Sequence, residues 1–246
     1  MGVYSFRLQI NIVRIAISQP TFLPWQGYFA LIDYVDIFVF LDDVQFIKRS
    51  WIQRNKIKSL EKELILTIPI KTKGKRFQKI KSAEIDDQQY DVKKILRSIH
   101  DNYKKAQYFE KYFKTIENVL SSNHKYLASL NISLIKNICD LIKIKTEFKK
   151  SSEIIGENTY KNINLLEKIS DKMNATEYIS TKGAKDYMGE INKFPNINTN
   201  IYFFDYLQSP YTQLNNNFIP FMSIIDLLFN EGENTLKILR KNFKII

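Results

Sequence analysis

Hydrophobic positions fall into blocks of two periods along the chain, and the period decides the element. Val13–Ile17 is apolar apart from Arg14 and reads as a buried strand; Ile37–Leu41 reads as a second. Between them lie a stiff turn, Gln19–Trp25, with prolines at positions 20 and 24, and a helical stretch from Gly27 to Val35. Strand, loop, helix and strand in so short a span are the signature of a parallel sheet. Leu64–Ile70 is a third strand candidate. From about residue 88 to 145 the period becomes helical: Val92, Ile95, Leu96, Ile99 and Tyr103 share one face, and Leu127, Leu130, Leu134, Ile138 and Leu141 another. Alternation then resumes, with strands at Thr146–Lys150, Thr176–Ser180 and Ile201–Tyr206. A helix marked by Leu165, Leu166, Ile169 and Met173 and a short one over Ala184–Met188 lie between them. A last helix is predicted from Pro220, which suits a first helical position, to Gly232, which suits an end. The expected architecture is α/β. It has a mostly parallel sheet of βαβ units with a helical middle segment, as one domain over residues 14–246 behind an extension of residues 1–13.

Composition narrows the setting. Hydrophobic residues make up 44% and aromatics 13%, which describes a folded globule. No run reaches the roughly 18 apolar residues of a membrane span; the best candidate, Phe218–Phe229, is broken by Asp226. The first residues lack the plan of a signal peptide, and Phe6 stands where a myristoylation motif needs Ser or Thr. The lone cysteine, Cys139, can form no disulfide within the chain, and a reducing cytoplasm is the expected location. Its neighbours at helical spacing, Ile135, Ile138 and Ile142, make it a small core residue rather than a nucleophile. The net charge of +11 favours phosphate-bearing partners. The lysines are scattered without a stripe in a chain also rich in Ile and Asn, so compositional bias explains them better than a dedicated nucleic-acid face.

Four constellations carry candidate chemistry. The turn and helix start, Gln19 to Tyr28, occupies the carboxyl end of the first strand, where ligands sit in parallel sheets. Trp25 and Tyr28 offer faces for a base or sugar ring, Gln19 a polar group, and Gly27 room for close approach beside the free N–H groups of a helix start. Asp42 and Asp43 follow the second strand as candidate proton acceptors, and adjacent residues of extended chain point opposite ways, so one of them is expected to face a site. Arg54 and Asn55 can clamp a phosphate or carboxylate. Tyr211 and Gln213 lead into the last helix, on which Ser223, Asp226 and Asn230 share a face, most simply one turned to water. Neither His100 nor His124 has a metal-ligand companion at a suitable spacing, so no metal and no cofactor are assigned. The opening turn resembles the phosphate loops of nucleotidyl transferases and adenylate-forming ligases. Those carry a His-x-Gly-His element where this chain has Trp25-Gln-Gly-Tyr28, which removes the groups that would stabilise a transferring phosphoryl.

Taken together, Ile15–Phe29, Phe38–Gln45, Gln53–Ile57, Asn102–Ala106 and Tyr211–Gln213 with Ser223–Gly232 resemble the WbqC-like family of bacterial surface-polysaccharide biosynthesis. The resemblance spans about residues 14–235. It implies a role in O-antigen or other surface-glycan assembly. The implied reaction is acyl or aminoacyl (for example glycyl) transfer to a nucleotide-linked amino sugar. The implied partners are a nucleotide sugar and an acyl-carrier or tRNA donor. The matched positions are Gln19, Trp25, Gly27, Tyr28, Asp43, Gln45, Arg54, Asn55, Tyr211 and Gln213; near Gln213 this chain departs from the pattern with Asn215-Asn-Asn217. An adenylate-forming enzyme and a non-catalytic scaffold of a glycan assembly complex are the alternatives.

Overall fold

The computed structural model describes residues 12–156, 160–189, 191–215 and 217–246; only positions 12 and 13 of the expected extension fall within them. The chain runs β1 (Arg14–Ser18), α1 (Gln26–Tyr34), β2 (Ile37–Phe40), β3 (Arg54–Ser59), β4 (Lys62–Thr67), α2 (Val92–Tyr103), α3 (Phe109–Ser121) and α4 (Leu127–Leu141). It continues through β5 (Glu147–Lys150), α5 (Ser151–Ile155), α6 (Asn162–Lys172), β6 (Glu177–Thr181), α7 (Lys185–Met188), β7 (Asn200–Tyr206), α8 (Ile224–Glu231), α9 (Thr235–Lys241) and β8 (Phe243–Ile245).

Six strands form one sheet in the order β5-β2-β1-β6-β7-β8. All pairings are parallel except the last, where β8 returns antiparallel along β7. This is the α/β fold that the periodicity predicts. The strands read as continuous apolar runs because both faces are covered. Ala16, Phe38, Phe40, Ile179, Phe204 and Tyr206 belong to one apolar cluster with α1, α8 and the helical insert α2–α4. Ile15, Ile17, Val39, Tyr178, Ile201 and Phe203 pack with Leu165, Leu166 and Ile169 of α6. Strand order reverses at β1, with β2 and β5 on one side and β6, β7 and β8 on the other. Crevices outside the carboxyl ends of strands at such a switch are where this class of sheet holds ligands.

The hairpin and the last helix refine the sequence reading. The third strand candidate, Leu64–Ile70, forms as β4 over Lys62–Thr67, which pairs antiparallel with β3 as a separate two-stranded hairpin. The basic run at Arg54–Lys58, for which no element is predicted, is the other strand of that hairpin, with Lys58 buried. The last helix does not begin at Pro220. Phe221 sits at φ +58°, which no helix accommodates, and Ser223 caps the helix by accepting the Ile225 N–H at 3.5 Å. Gly232 does end it, at φ +53°. The face of Ser223, Asp226 and Asn230 is not turned to water either: all three are buried, because α8 is covered on every side.

Candidate functional site

The opening loop between β1 and α1 is held rigid from three directions. Asn55 on β3 donates through Nδ2 to the Phe22 and Leu23 carbonyls at 3.1 and 2.8 Å. Asn131 on α4 donates to the Pro20 carbonyl at 2.9 Å and to Ile52 at 2.8 Å. The Phe22 N–H donates to the Trp51 carbonyl at 3.1 Å. Within this cradle Leu23 is fixed at φ +42°, a left-handed conformation costly for a branched side chain. The Tyr28 hydroxyl donates back to the Gln19 carbonyl at 2.9 Å, closing the loop over the first turn of α1. Burial, the main cause, raises the Tyr28 phenol well above its ordinary value, so it stays a neutral donor.

These restraints shape a cleft of about 360 Å³ beside the loop, within the range of small-molecule sites. Thr21, Pro24, Trp25 and Tyr28 of the loop and first helix line it together with Trp51, Asn55, Lys56 and Phe221. Trp25 meets Tyr206 and Phe221 edge-on at 5.4 and 5.6 Å between ring centres, which fixes its indole. Trp51 and Phe221 are each 51% exposed, so the aromatic walls face the solvent that a ligand would displace. The Arg54 guanidinium lies 5.7 Å from the centre of the Trp51 ring. Among the described residues the buried Arg54 Nε has no hydrogen-bond partner. Lys56 is paired with Glu63 at 2.6 Å. A groove of about 470 Å³ beside α6 is larger, but two of its polar groups already bond each other, Glu167 to Asn196 at 2.7 and 3.0 Å.

The sequence candidates divide by position. Trp25, Tyr28 and Asn55 line the cleft. Gly27 lies under it, and the room its missing Cβ leaves is taken by the Trp25 indole rather than left open to a ligand. Gln19 contributes its carbonyl to the loop clasp. Tyr211 and Gln213 stand behind the wall. Tyr211 donates to Asp226 Oδ1 at 2.7 Å, Gln213 Nε2 to the same oxygen at 2.9 Å, and Tyr103 to Oδ2 at 2.7 Å. Gln213 also holds Ile219 through both backbone groups, at 2.9 and 3.0 Å, and so positions the coil that carries Phe221. Burial raises the Asp226 carboxyl above its ordinary value, while hydrogen bonds from Tyr211, Tyr103 and Gln213 pull the other way.

Asp42 and Asp43 are both buried and face different partners. Asp42 receives the Ser151 hydroxyl and the Ser152 N–H at 3.0 Å each and the Ser152 hydroxyl at 2.7 Å, which ties the start of α5 to the end of β2. Asp43 holds Lys79 at 3.0 Å and Lys81 at 2.7 Å. Burial works to raise its carboxyl, but the two lysines outweigh it and hold it below the ordinary value. Such a carboxylate is a weak proton acceptor while the lysines stay in place. Gln45 is exposed and turned toward the neighbouring segment, donating to the Arg76 carbonyl at 3.0 Å. Thr21, Trp51, Lys56 and Phe221 are cleft residues the pattern did not select; Trp51, one of only two tryptophans and next to an already chosen segment, is the one the sequence could have offered.

The profile of the WbqC-like protein family matches residues 19–238, which takes in the opening loop, the cleft and the Asp226 cluster. The chain belongs to the WbqC-like protein family. It is 35% identical over 231 residues to the uncharacterized protein Rv1507c of Mycobacterium tuberculosis, an alignment covering 92% of this chain and 97% of that relative. No solved structure matches the chain. Among the described residues no helix of this WbqC-like protein is long and apolar enough to cross a membrane.

Proposed function

We propose that this WbqC-like protein acts in surface-glycan biosynthesis, binding a nucleotide-linked amino sugar in the aromatic cleft and transferring an acyl or aminoacyl group, such as glycyl, to its amine. The observation that carries the reading is that Trp25 and Trp51 line the same space as Lys56. Indole rings stack on bases and on the apolar faces of sugars, at about 1–3 kcal/mol for a stacked base. The Lys56 ammonium, paired with Glu63 at 2.6 Å, supplies a counter-charge for phosphate by exchanging that partner. In the transfer, the amine nitrogen attacks the acyl carbon of an activated donor, a carrier-protein thioester or an aminoacyl-tRNA. The C–N bond forms, the acyl–donor bond breaks, and the amine gives up a proton. Asp43 serves as the acceptor of that proton only if Lys79 and Lys81 part from it.

The test uses an accident of composition: the chain has two tryptophans and both line the cleft, so intrinsic fluorescence reports on it directly. The protein is titrated with amino-sugar nucleotides, ATP and acyl-CoA thioesters. Saturable quenching by the amino-sugar nucleotide is expected, with affinity reduced roughly 5- to 100-fold in Trp51→Ala. A response to ATP alone would favour the adenylate-forming reading, and silence toward every compound would overturn the assignment of the cleft.

A further inference from the structure

Residues 44–58 carry five Lys or Arg and residues 71–81 carry six, and neither segment has an acidic residue. The fold lays residues 44–46 alongside residues 78–80, while Arg54, Lys56 and Lys58 belong to β3, where Lys56 pairs with Glu63 and Lys58 is buried. The Phe46 N–H donates to the Gln78 carbonyl and the Ile80 N–H to the Val44 carbonyl, both at 2.9 Å. One residue beyond the first of these bonds stand Ile47 and Phe77, 59% and 76% exposed. The Ser50 hydroxyl closes the turn after Ile47 by donating to its carbonyl at 2.6 Å, and that turn presents Trp51. Three large apolar side chains therefore project from two neighbouring turns, among the exposed cations Lys48, Arg49, Lys73 and Arg76. The Arg76 guanidinium lies 5.6 Å from the centre of the Phe77 ring. Part of the surrounding charge is offset, since Lys75 pairs with Glu84 and Lys81 with Asp43. Together the two segments hold eleven of the chain's 37 Lys and Arg residues.

We propose that this face docks on an anionic membrane surface. The apolar tips enter the boundary between headgroups and acyl chains, and the cations pair with lipid phosphates; apolar area and charge together set the strength of such binding. Ile47 argues against a nucleic acid, because an aliphatic side chain has no π face to stack on a base. Its exposure with Phe77 among exposed cations suits insertion between anionic headgroups better than a protein partner, whose interface cores are depleted of lysine. Trp51 belongs to both this face and the cleft, so docking would bring the cleft mouth to the membrane. The inference does not depend on what the cleft binds.

The test is co-sedimentation of the full chain with vesicles of phosphatidylcholine alone and of phosphatidylcholine mixed with phosphatidylglycerol, at low and high salt. Binding to the mixed vesicles alone is expected, and salt should weaken it. Arg49→Gln and Arg76→Gln should each reduce it about fivefold. The double variant Ile47→Ser/Phe77→Ser should reduce it tenfold or more with an unchanged melting temperature. The proposal is overturned by absence of binding to the mixed vesicles, or by binding that the double variant does not reduce. A short RNA duplex that binds more tightly than the vesicles would overturn it as well.

Discussion

Asn55→Ala tests whether the cleft depends on the clamp behind it. The side chain is buried, and its amide satisfies the Phe22 and Leu23 carbonyls at 3.1 and 2.8 Å. Alanine leaves both oxygens without that donor in a place water does not reach, at about 1–3 kcal/mol each. Against this, Leu23 is free to leave φ +42°, which returns about 1–2 kcal/mol. With about 4 kcal/mol lost at the two oxygens and about 1.5 kcal/mol returned, the net expected loss is about 2.5 kcal/mol. At about 2–4 °C per kcal/mol for a chain of this size, the melting temperature should fall by about 5–10 °C. Thermal unfolding followed by circular dichroism reads the stability, and the tryptophan titration reads the site, where affinity should fall at least tenfold as the loop slackens. Asn55→Asp keeps the volume but points a carboxylate at two carbonyls, and should be at least as damaging. Asn55→Ala melting within about 1 °C of the native chain, or Asn55→Asp tolerated where Asn55→Ala is not, would show that packing rather than donation by Asn55 holds the loop.

Other outcomes follow from the same geometry. In Gly27→Ala the new methyl meets the Trp25 indole, which Tyr206 and Phe221 hold in place. A loss of about 1–3 kcal/mol is expected, with a red-shifted tryptophan emission as the ring is displaced; an unshifted spectrum would count against the packing role of Gly27. Asp226 and Asp43 should give opposite pH signatures in urea unfolding. The folded Asp226 carboxyl lies above its ordinary value of 3.8, so its contribution is fully present below pH 3.8 and is lost as pH rises through the folded value. The stability of the native chain relative to Asp226→Asn should therefore decline over that rise and then level off; an increase with pH would refute the assignment. The folded Asp43 carboxyl lies below 3.8, so its contribution is fully present above pH 3.8 and is lost as pH falls through the folded value. At neutral pH Asp43→Asn should cost about 2 kcal/mol by loosening Lys79 and Lys81, and a chain as stable as the native one would show that the pair does not hold the loop.

The local pattern was enough to determine β1, α1 and β2 and the place of the proline-bounded turn between them, because a buried parallel strand is a short apolar run and prolines narrow the backbone of a turn, while its rigidity comes from Asn55 and Asn131. It also determined the burial of Cys139, since helical spacing alone puts it on the apolar face of α4. Periodicity failed where an element takes its character from a neighbour. The basic strand β3 offers no strand signal until β4 pairs with it, and the polar face of α8 looks like a surface until Tyr103 and Tyr211 cover it. The site follows the same division. Trp25, Tyr28 and Asn55 were legible as chemistry, but not the fact that Asn55 spends its amide on Leu23, 32 residues away. Nor was it legible that Asp42 ends on Ser151, 109 residues away, and Tyr103 on Asp226, 123 away. A carboxylate or amide has the same sequence signal whether it faces a ligand, a helix start or a tyrosine. Only the meeting of distant segments decides which of these it satisfies, because hydrogen bonding is short-ranged and the partner lies in no local window of the chain.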